Sequence, residues 1–310
     1  MDKKWRDGEG NLHKGKLIIS KDGYEVIECE MCEFKHIIPF IDAVKQEKFY
    51  TEEFYQEEKK DYIQGHLGDD EWWAIGYNEL YNFFEKSFRY KSRRKILDIG
   101  SGPGFFLKVG KARGWDVTGI EPGQPVYEFS KNELNLNIIN EFFSRETYQN
   151  YGNFDVIHLH NVLEHITNPI DMLIMAEKIL LPKGLICVTS PNDFNPLQDI
   201  AVEYLGKKHW WVVPNHHVNY FDVKSLKNLF TNQGLNVVYA TTSFPLELFL
   251  LMGEDYIGND KIGRKIHAKR MLMEKNFSNA GKNSLKRKIY EKLAEIGIGR
   301  EITVIGQLKK

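Results

Sequence analysis

Hydrophobic and polar positions change their spacing along the chain and divide it into distinct segments. Residues 1–48 contain short apolar runs broken by glycine and charge, such as GKLIIS and YEVIEC, which predict a small β-rich unit. Residues 49–93 follow a helical period, contain no proline and are rich in aromatic side chains. We expect the second segment to form helices that cover a binding site as a lid.

The next segment, residues 94–244, alternates nearly continuous apolar runs such as KILDIG and FDVIHLHN with amphipathic stretches. Strands of this kind are buried on both faces, so the pattern predicts a doubly wound, mostly parallel α/β sheet. Asp222 and Gly234 mark the start and end of a helix before the strand LNVVYATT. A helical insertion over 245–297 then precedes the strand REITVIGQL in 298–310. We expect these last two strands to pair antiparallel.

Composition narrows the class of protein without identifying it. The 310 residues are 42% hydrophobic, enough for a large core, and the longest apolar runs are too short to cross a bilayer. The start of the chain, MDKKWRDGEGNLHKGK, is charged where a secretory signal would be apolar, and the three cysteines form no disulfide framework. We therefore expect a cytoplasmic protein with no membrane partner. A net charge of −1 gives no general attraction to nucleic acid.

The stretch LDIGSGPGFFL, residues 97–107, forms the first strand-to-helix turn of the predicted sheet. Ligands of such sheets lie beyond the carboxyl ends of the strands, where glycines let the backbone approach them closely. The spacing is G-x-G-x-G, whereas a dinucleotide-binding loop has G-x-G-x-x-G. Asp98 would also repel a pyrophosphate but would attract a ligand that carries an amino group and a sulfonium. These features argue against a nicotinamide-dependent oxidoreductase.

Further carboxylates and histidines follow later strands. Glu121 ends the strand VTGIEP and can accept hydrogen bonds from both hydroxyls of a ribose. Methyl transfer from a sulfonium is an in-line displacement that often requires a base. NVLEHITNP supplies Glu164 and His165, and VVPNHHVNYF supplies His216 and His217. We favour His217 as the base and His216 as its orienting partner or a substrate contact, while His165 could be a second base or pack against the next helix.

The ordered segments ILDIGSGPGFFL, VTGIEPGQP, FDVIHLHNVLEHITNP and LLPKGLICVTSPN resemble the successive motifs of class I S-adenosylmethionine-dependent methyltransferases. The resemblance covers about residues 95–240 and the final strand. It implies a seven-stranded Rossmann-like sheet with an antiparallel last strand, S-adenosylmethionine as cofactor and S-adenosylhomocysteine as product. The cofactor contacts that it implies are Asp98, Gly100, Ser101 and Gly102 at the methionine end, Glu121 and Pro122 at the ribose, Phe142 near the adenine, and His160 and Asn161 beside the amino acid.

Aromatic residues of the lid segment could also contact the cofactor. An aromatic face attracts a cation by about 0.5 to 2 kcal/mol, and Trp72, Trp73, Tyr55 and Tyr62 are candidates. We predict Trp73 and Tyr62 as contacts, although each ring could instead only anchor the lid to the core. Trp210 and Trp211 could stack on a sugar ring.

The segment HHVNYF narrows the expected acceptor. It resembles the HxxYF segment of methyltransferases from bacterial surface-polysaccharide clusters and the EHxxYF segment of sugar C-methyltransferases, with His217, Tyr220 and Phe221 at the matching positions. His216 stands where the C-methyltransferases have glutamate. The resemblance therefore implies O-methylation of a sugar or nucleotide sugar, with C- or N-methylation as alternatives. A non-catalytic domain that binds S-adenosylmethionine is a further alternative, and the oligomeric state stays open.

Two cysteines form one C-x-x-C pair in the first segment. Structural zinc normally has four ligands, and the sugar C-methyltransferases that the chain resembles carry a cysteine-rich N-terminal unit. His13 and His36 could complete a site with Cys29 and Cys32, but their spacing is irregular. We favour a degenerate zinc-ribbon-like unit that has kept its fold and lost its metal, and we predict no metal ligand. Cys187, in GLICVTS, is expected to pack in the core.

Overall fold

The computed structural model describes residues 1–58, 62–88 and 94–309. Tyr55 and Tyr62 lie in described helices, but their side chains are outside the described part of the structure. The expected contacts of Tyr55 and Tyr62 with a cofactor therefore stay predictions.

The described residues form two β-sheets and a set of surrounding helices. The strands are β1 (Asp2–Arg6), β2 (Leu12–Lys21), β3 (Tyr24–Cys29), β4 (Lys35–Ile38), β5 (Lys95–Ile99), β6 (Asp116–Ile120), β7 (Ile138–Ile139), β8 (Phe154–His160), β9 (Leu180–Pro191), β10 (Asn219–Tyr220), β11 (Asn236–Thr242) and β12 (Glu301–Gln307). The α-helices are α1 (Ala43–Lys48), α2 (Tyr62–Gly68), α3 (Asp70–Ser87), α4 (Phe105–Ala112), α5 (Gln124–Asn132), α6 (Pro169–Lys178), α7 (Pro196–Leu205), α8 (Val223–Asn232), α9 (Glu247–Leu251), α10 (Asp260–Asn279) and α11 (Asn283–Glu295). A π-helix spans Phe49–Glu58 and a 3-10 helix spans Tyr148–Asn150.

The central sheet has seven strands in the order β11-β12-β9-β8-β5-β6-β7. Strand β12 pairs antiparallel with both β9 and β11, and the other described pairs are parallel. Neighbouring residues of β8 pack on opposite faces, since Val156 and Ile157 belong to different hydrophobic clusters and both are fully buried. The predicted doubly wound sheet with an antiparallel last strand is confirmed, and Asp222 caps α8 by accepting from the Ser225 amide.

The N-terminal strands form a second, antiparallel sheet in the order β1-β2-β3-β4-β10. Its last strand comes from the segment that follows β9 in the chain, and it pairs Asn219 with His36 and Tyr220 with Lys35. The rings of Phe34 and Phe221 lie 5.0 Å apart beside this pairing. The small β-unit is thus joined to the central domain by main-chain hydrogen bonds, an attachment that the sequence did not predict.

Helix α3, in the segment that we expected to form a lid, is tied to the helical insertion. The indole of Trp72 donates to Glu274 of α10 at 2.7 Å, and Tyr290 of α11 donates to the same carboxylate at 2.7 Å. Trp72 therefore anchors α3 to the helical insertion. Among the described residues, no helix has both the length and the apolar character that crossing a bilayer requires.

Candidate active site

A cavity of about 570 Å³ lies where β5, β6 and β8 end, within the size range of small-molecule sites. The sequence-predicted residues that line it are Trp73, Asp98, Gly100, Ser101, Gly102, Glu121, Pro122, Phe142, His160, Asn161, His165, His216 and His217. Of the predicted site residues, Tyr62 alone is not placed, because its side chain is not described. The cavity therefore joins the predicted cofactor residues to the candidate bases.

The glycine loop curls back over the end of β6. The amides of Gly100 and Ser101 donate to the carbonyl of Ile120 at 2.8 and 3.0 Å. Gly100 has a φ of +69°, a backbone angle that residues with a side chain rarely adopt. A Cβ at this position would lie 2.7 Å from Val162 Cγ2. Glycine is required at this position by both the backbone conformation and the lack of space.

Glu121 is held at the end of β6 by two backbone amides. Its Oε2 accepts from Gly102 at 2.7 Å and its Oε1 accepts from Gly123 at 2.8 Å. Burial raises the pKa of Glu121 to about 7, against the opposing effect of these two hydrogen bonds. Each carboxylate oxygen keeps a second lone pair, so the group can accept two further hydrogen bonds from a ligand.

Asp98 has a partner that sequence reasoning missed. His158 lies inside β8 and donates from Nδ1 to Asp98 Oδ1 at 2.6 Å, and both side chains are buried. The imidazole also stacks on Phe106 with ring centroids 3.9 Å apart. His158 and His160 are two residues apart on a strand and therefore share a face, which is the signal that could have placed His158 at the site.

A second group of polar side chains lines another part of the same cavity. Glu164, His165 and His217 place one carboxylate or imidazole atom each within 4.8 Å of the others. His165 donates from Nδ1 to the carbonyl of His216 at 2.9 Å, and its Nε2 lies 3.8 Å from Glu164 Oε1. The rings of His165 and His217 are 4.9 Å apart and nearly perpendicular. This arrangement fixes the tautomer of His165, with the lone pair on Nε2.

Glu164 is the most buried member of this group. It accepts from the Ser190 hydroxyl at 3.0 Å, and burial raises its pKa to about 8. The main-chain carbonyl of Glu164 accepts from the amides of Val218 and Asn219 at 2.7 and 3.0 Å. The loop that carries His217 is therefore fastened to the loop that carries His165.

Helices α2 and α3 place a stack of rings beside the start of α4. His66 lies between Trp73, at 4.6 Å, and Phe105, at 4.2 Å, with nearly parallel planes. Its Nε2 and the Tyr77 hydroxyl are 3.0 Å apart, and burial lowers the pKa of His66 to about 4, so the ring is neutral at pH 7. His66 was not predicted from the sequence. The sequence feature that could have revealed His66 is its position shortly before the aromatic residues of α3.

The sequence of the central domain matches a known family. The profile described as the methyltransferase domain matches residues 76–240, more than half of the chain. The chain belongs to this family. The match includes the glycine loop, Glu121 and the His165 and His217 loops. The resemblance on which the sequence analysis relied is confirmed at the level of the methyltransferase domain.

The methyltransferase domain is also similar to curated proteins over part of its length. It is 34% identical over 119 residues to a ubiquinone biosynthesis O-methyltransferase of Roseobacter denitrificans, covering 37% of this chain and 47% of that protein. The protein of the same name from Pseudomonas aeruginosa is 27% identical over 104 residues, which is 32% of this chain and 45% of the relative. The chain thus spans less than half the length of these relatives. They are named for ubiquinone biosynthesis, so the sugar acceptor stays a prediction.

A solved structure shares the fold. The plantazolicin methyltransferase BpumL, in complex with S-adenosylhomocysteine, superposes with a TM-score of 0.52 at 16% identity, over 86% of this chain and 94% of that one. At this identity the likeness establishes the fold alone.

Proposed function

We propose that the protein is an S-adenosylmethionine-dependent methyltransferase that methylates a hydroxyl of a small polar acceptor. The observation that carries this proposal is one cavity with two different walls. One wall has the glycine loop and Glu121, and the other has Glu164, His165 and His217. A cofactor and an acceptor can therefore meet in a shared, partly enclosed space.

The first wall fits S-adenosylmethionine in charge and hydrogen bonding. Asp98 suits the amino group, and Glu121 has lone pairs for the two ribose hydroxyls. The hydroxyl of Ser101 is buried and, among the described residues, has no hydrogen-bond partner, which is expected of a group that serves a ligand.

The residues of the second wall would accept the proton that the acceptor hydroxyl loses. When bound, S-adenosylmethionine would supply an electrophilic methyl group: the acceptor oxygen would bond to the methyl carbon while the carbon–sulfur bond breaks and the sulfur keeps the electron pair as a neutral thioether. The hydroxyl proton passes to a base, for which we propose His217. His165 turns both ring nitrogens toward protein groups, so we assign it a positioning role, and His216 orients it through its carbonyl.

We propose a sugar as the acceptor. If the sugar is part of a nucleotide sugar, its nucleoside diphosphate would lie outside the cavity. Among the described residues the cavity wall has Arg300 as its only arginine and no lysine, against the carboxylates of Asp98, Glu141 and Glu301. Such a wall repels phosphate but can accept hydrogen bonds from sugar hydroxyls. We propose the cytoplasm as the compartment, because a chain of 310 residues with three cysteines suits a reducing environment.

A phenolic acceptor is the second candidate. The curated relatives are named as O-methyltransferases of ubiquinone biosynthesis. Tyr50 and Phe54 line the acceptor side of the cavity, and Phe49 packs on His216 with ring centroids 5.2 Å apart. These rings would pack on an aromatic acceptor as readily as on the apolar face of a sugar.

Transfer of a labelled methyl group from S-adenosylmethionine tests the proposed function. Free sugars, nucleotide sugars and catechols are offered separately, and formation of S-adenosylhomocysteine is measured. We expect turnover with a carbohydrate, and magnetic resonance of the product should show an O-methyl group. Turnover with catechols only would favour the phenolic acceptor. Binding of the cofactor without turnover of any acceptor would favour a non-catalytic domain.

Cofactor affinity should increase as the pH rises through 7. Because Glu121 has a raised pKa of about 7 and its carboxylate form is the better acceptor for ribose hydroxyls, affinity is lost as the group takes up a proton. We expect the Kd of S-adenosylhomocysteine to fall roughly tenfold from pH 6 to pH 8. Calorimetric titration across this range measures it. Glu121→Gln is the control, and an equal pH dependence in the variant would exclude Glu121 as the titrating group.

Replacing Trp73 should distinguish the cofactor from its product. If the indole faces the sulfonium, Trp73→Leu removes a cation–π contact that S-adenosylhomocysteine, with its neutral sulfur, does not make. We expect the Kd of S-adenosylmethionine to rise by about 2- to 30-fold, and that of the product to change less. Titrations of both ligands against the variant give the comparison. An equal loss for both would mean that Trp73 only supports the lid.

A further inference from the structure

The N-terminal sheet brings four metal-ligating side chains together, well separated in sequence from the glycine loop. The side chains are His13 on β2, Cys29 at the end of β3, Cys32 in the turn after it and His36 on β4. Their nitrogen and sulfur atoms all lie within 4.8 Å of one another. His13, Cys29 and His36 are buried, and Cys32 is partly buried. The antiparallel strand pairing therefore builds a compact Cys2His2 cluster.

The distances within the cluster match the edges of a coordination tetrahedron. A tetrahedral zinc ion with Zn–S of about 2.3 Å and Zn–N of about 2.0 to 2.1 Å sets N···N edges of about 3.3 Å and S···N edges of about 3.6 Å. In the structure His13 Nδ1 lies 3.2 Å from His36 Nε2, 3.5 Å from Cys32 Sγ and 3.8 Å from Cys29 Sγ. One ring nitrogen cannot make three strong hydrogen bonds, but one ion can bind all four atoms.

The outer nitrogens of both histidines face oxygen acceptors. His36 donates from Nδ1 to the carbonyl of Ile37 at 2.9 Å, and His13 Nε2 lies 3.4 Å from Asp7 Oδ2. When these nitrogens carry the protons, the lone pairs of His13 Nδ1 and His36 Nε2 point toward each other. Metal-bound histidines commonly show this arrangement, in which a carbonyl or carboxylate fixes the tautomer.

An aromatic shell surrounds the cluster. The ring of Phe40 lies 5.2 Å from both His13 and His36, and Trp5 lies 5.5 Å from His13. Apolar rings limit the access of water and of competing ligands. The four protein donors also fill a tetrahedron, so no position is left for a substrate.

We propose that His13, Cys29, Cys32 and His36 bind one structural zinc ion. The donor set of two thiolates and two imidazoles is one that zinc prefers, and a closed four-ligand site has a structural role. The proposal reverses the expectation from sequence that this unit has lost its metal. It is independent of the proposed methyl transfer.

The zinc site would also support the loop of candidate bases. His36 pairs with Asn219 of β10, and the amide of Ile37 donates to the carbonyl of Val218 at 2.9 Å. Val218 directly follows His217 in the chain. Loss of the ion should therefore loosen the pairing of β4 with β10. The disturbance would be transmitted to the His217 loop through Ile37 and Val218.

Metal analysis of the full-length protein tests the proposal. The protein is expressed with added zinc, freed of loosely bound metal, and measured by plasma mass spectrometry. We expect one zinc per wild-type chain, and loss of that zinc in Cys32→Ser and His13→Gln. Cys187→Ala and His209→Gln are matched controls, since neither residue belongs to the cluster, and both should keep the metal.

Two measurements on the wild-type protein avoid dependence on variants that fail to fold. Replacement of zinc by cobalt should give the visible absorption of tetrahedral cobalt together with a thiolate charge-transfer band. Chelation should lower the Tm, and added zinc should restore it. Absence of zinc after expression, together with no change of Tm and no cobalt spectrum on reconstitution, would overturn the proposal.

Discussion

Glu121→Ala should lower the affinity for S-adenosylhomocysteine by about 100-fold or more. The variant removes the acceptor for both ribose hydroxyls, and hydrogen bonds to a charged group contribute about 1.5 to 3 kcal/mol each. It also leaves the amides of Gly102 and Gly123 without the carboxylate that holds the loop over β6. Calorimetric titration of wild type and variant measures the change.

Glu128→Ala is the control for this prediction. Glu128 lies on α5, a few residues after Glu121, and its side chain is exposed and bonds to Gln124. We expect its affinity for the product to equal that of the wild type. An unchanged affinity in Glu121→Ala would contradict the assignment of Glu121 to the ribose. A Tm that is lowered in Glu121→Ala but not in Glu128→Ala would indicate a structural role for Glu121.

His217→Ala should lower turnover by about 10²- to 10⁴-fold, the usual contribution of a general base. The Kd of S-adenosylhomocysteine should stay within about twofold of the wild-type value, since we assign His217 to the wall of the cavity that binds the acceptor. Rates are measured with saturating cofactor and the acceptor found by screening. Equal loss of binding and turnover would mean that His217 supports the structure.

His165 provides the companion test. His165→Asn keeps a donor that can reach the carbonyl of His216, whereas His165→Ala removes it. A positioning role predicts that the asparagine variant recovers a large part of the rate that the alanine variant loses. His209→Ala, outside the cavity wall, should leave the rate unchanged. If the asparagine and alanine variants turn over equally slowly, His165 itself accepts the proton.

The fold could be predicted because its determinants are local. Buried runs such as ILDI and DVIHLH define parallel strands, and the glycine loop places the ligand at their carboxyl ends. The antiparallel pairing of β11 with β12 was also predicted, although α9 to α11 separate them in the chain. A two-residue strand such as β10 leaves no pattern, so the attachment of the N-terminal sheet was not predicted.

The polar partners of the site were harder to predict, because they depend on tertiary pairing. His158 lies within an apolar strand, and only its position beside β5 brings it to Asp98. The partner of Trp72 is Glu274, 202 positions away. His13 and His36 have no regular spacing from the cysteines, and they meet only because β2, β3 and β4 pair in this register.

Calorimetric titration measures directly whether the cavity binds the cofactor S-adenosylmethionine and its product. The purified protein is titrated with S-adenosylhomocysteine, and NADH is run alongside as the dinucleotide control. We expect micromolar binding of S-adenosylhomocysteine and no heat from NADH. Binding of NADH with no signal from S-adenosylhomocysteine would contradict the cofactor assignment, and with it the roles proposed for Glu121 and His217.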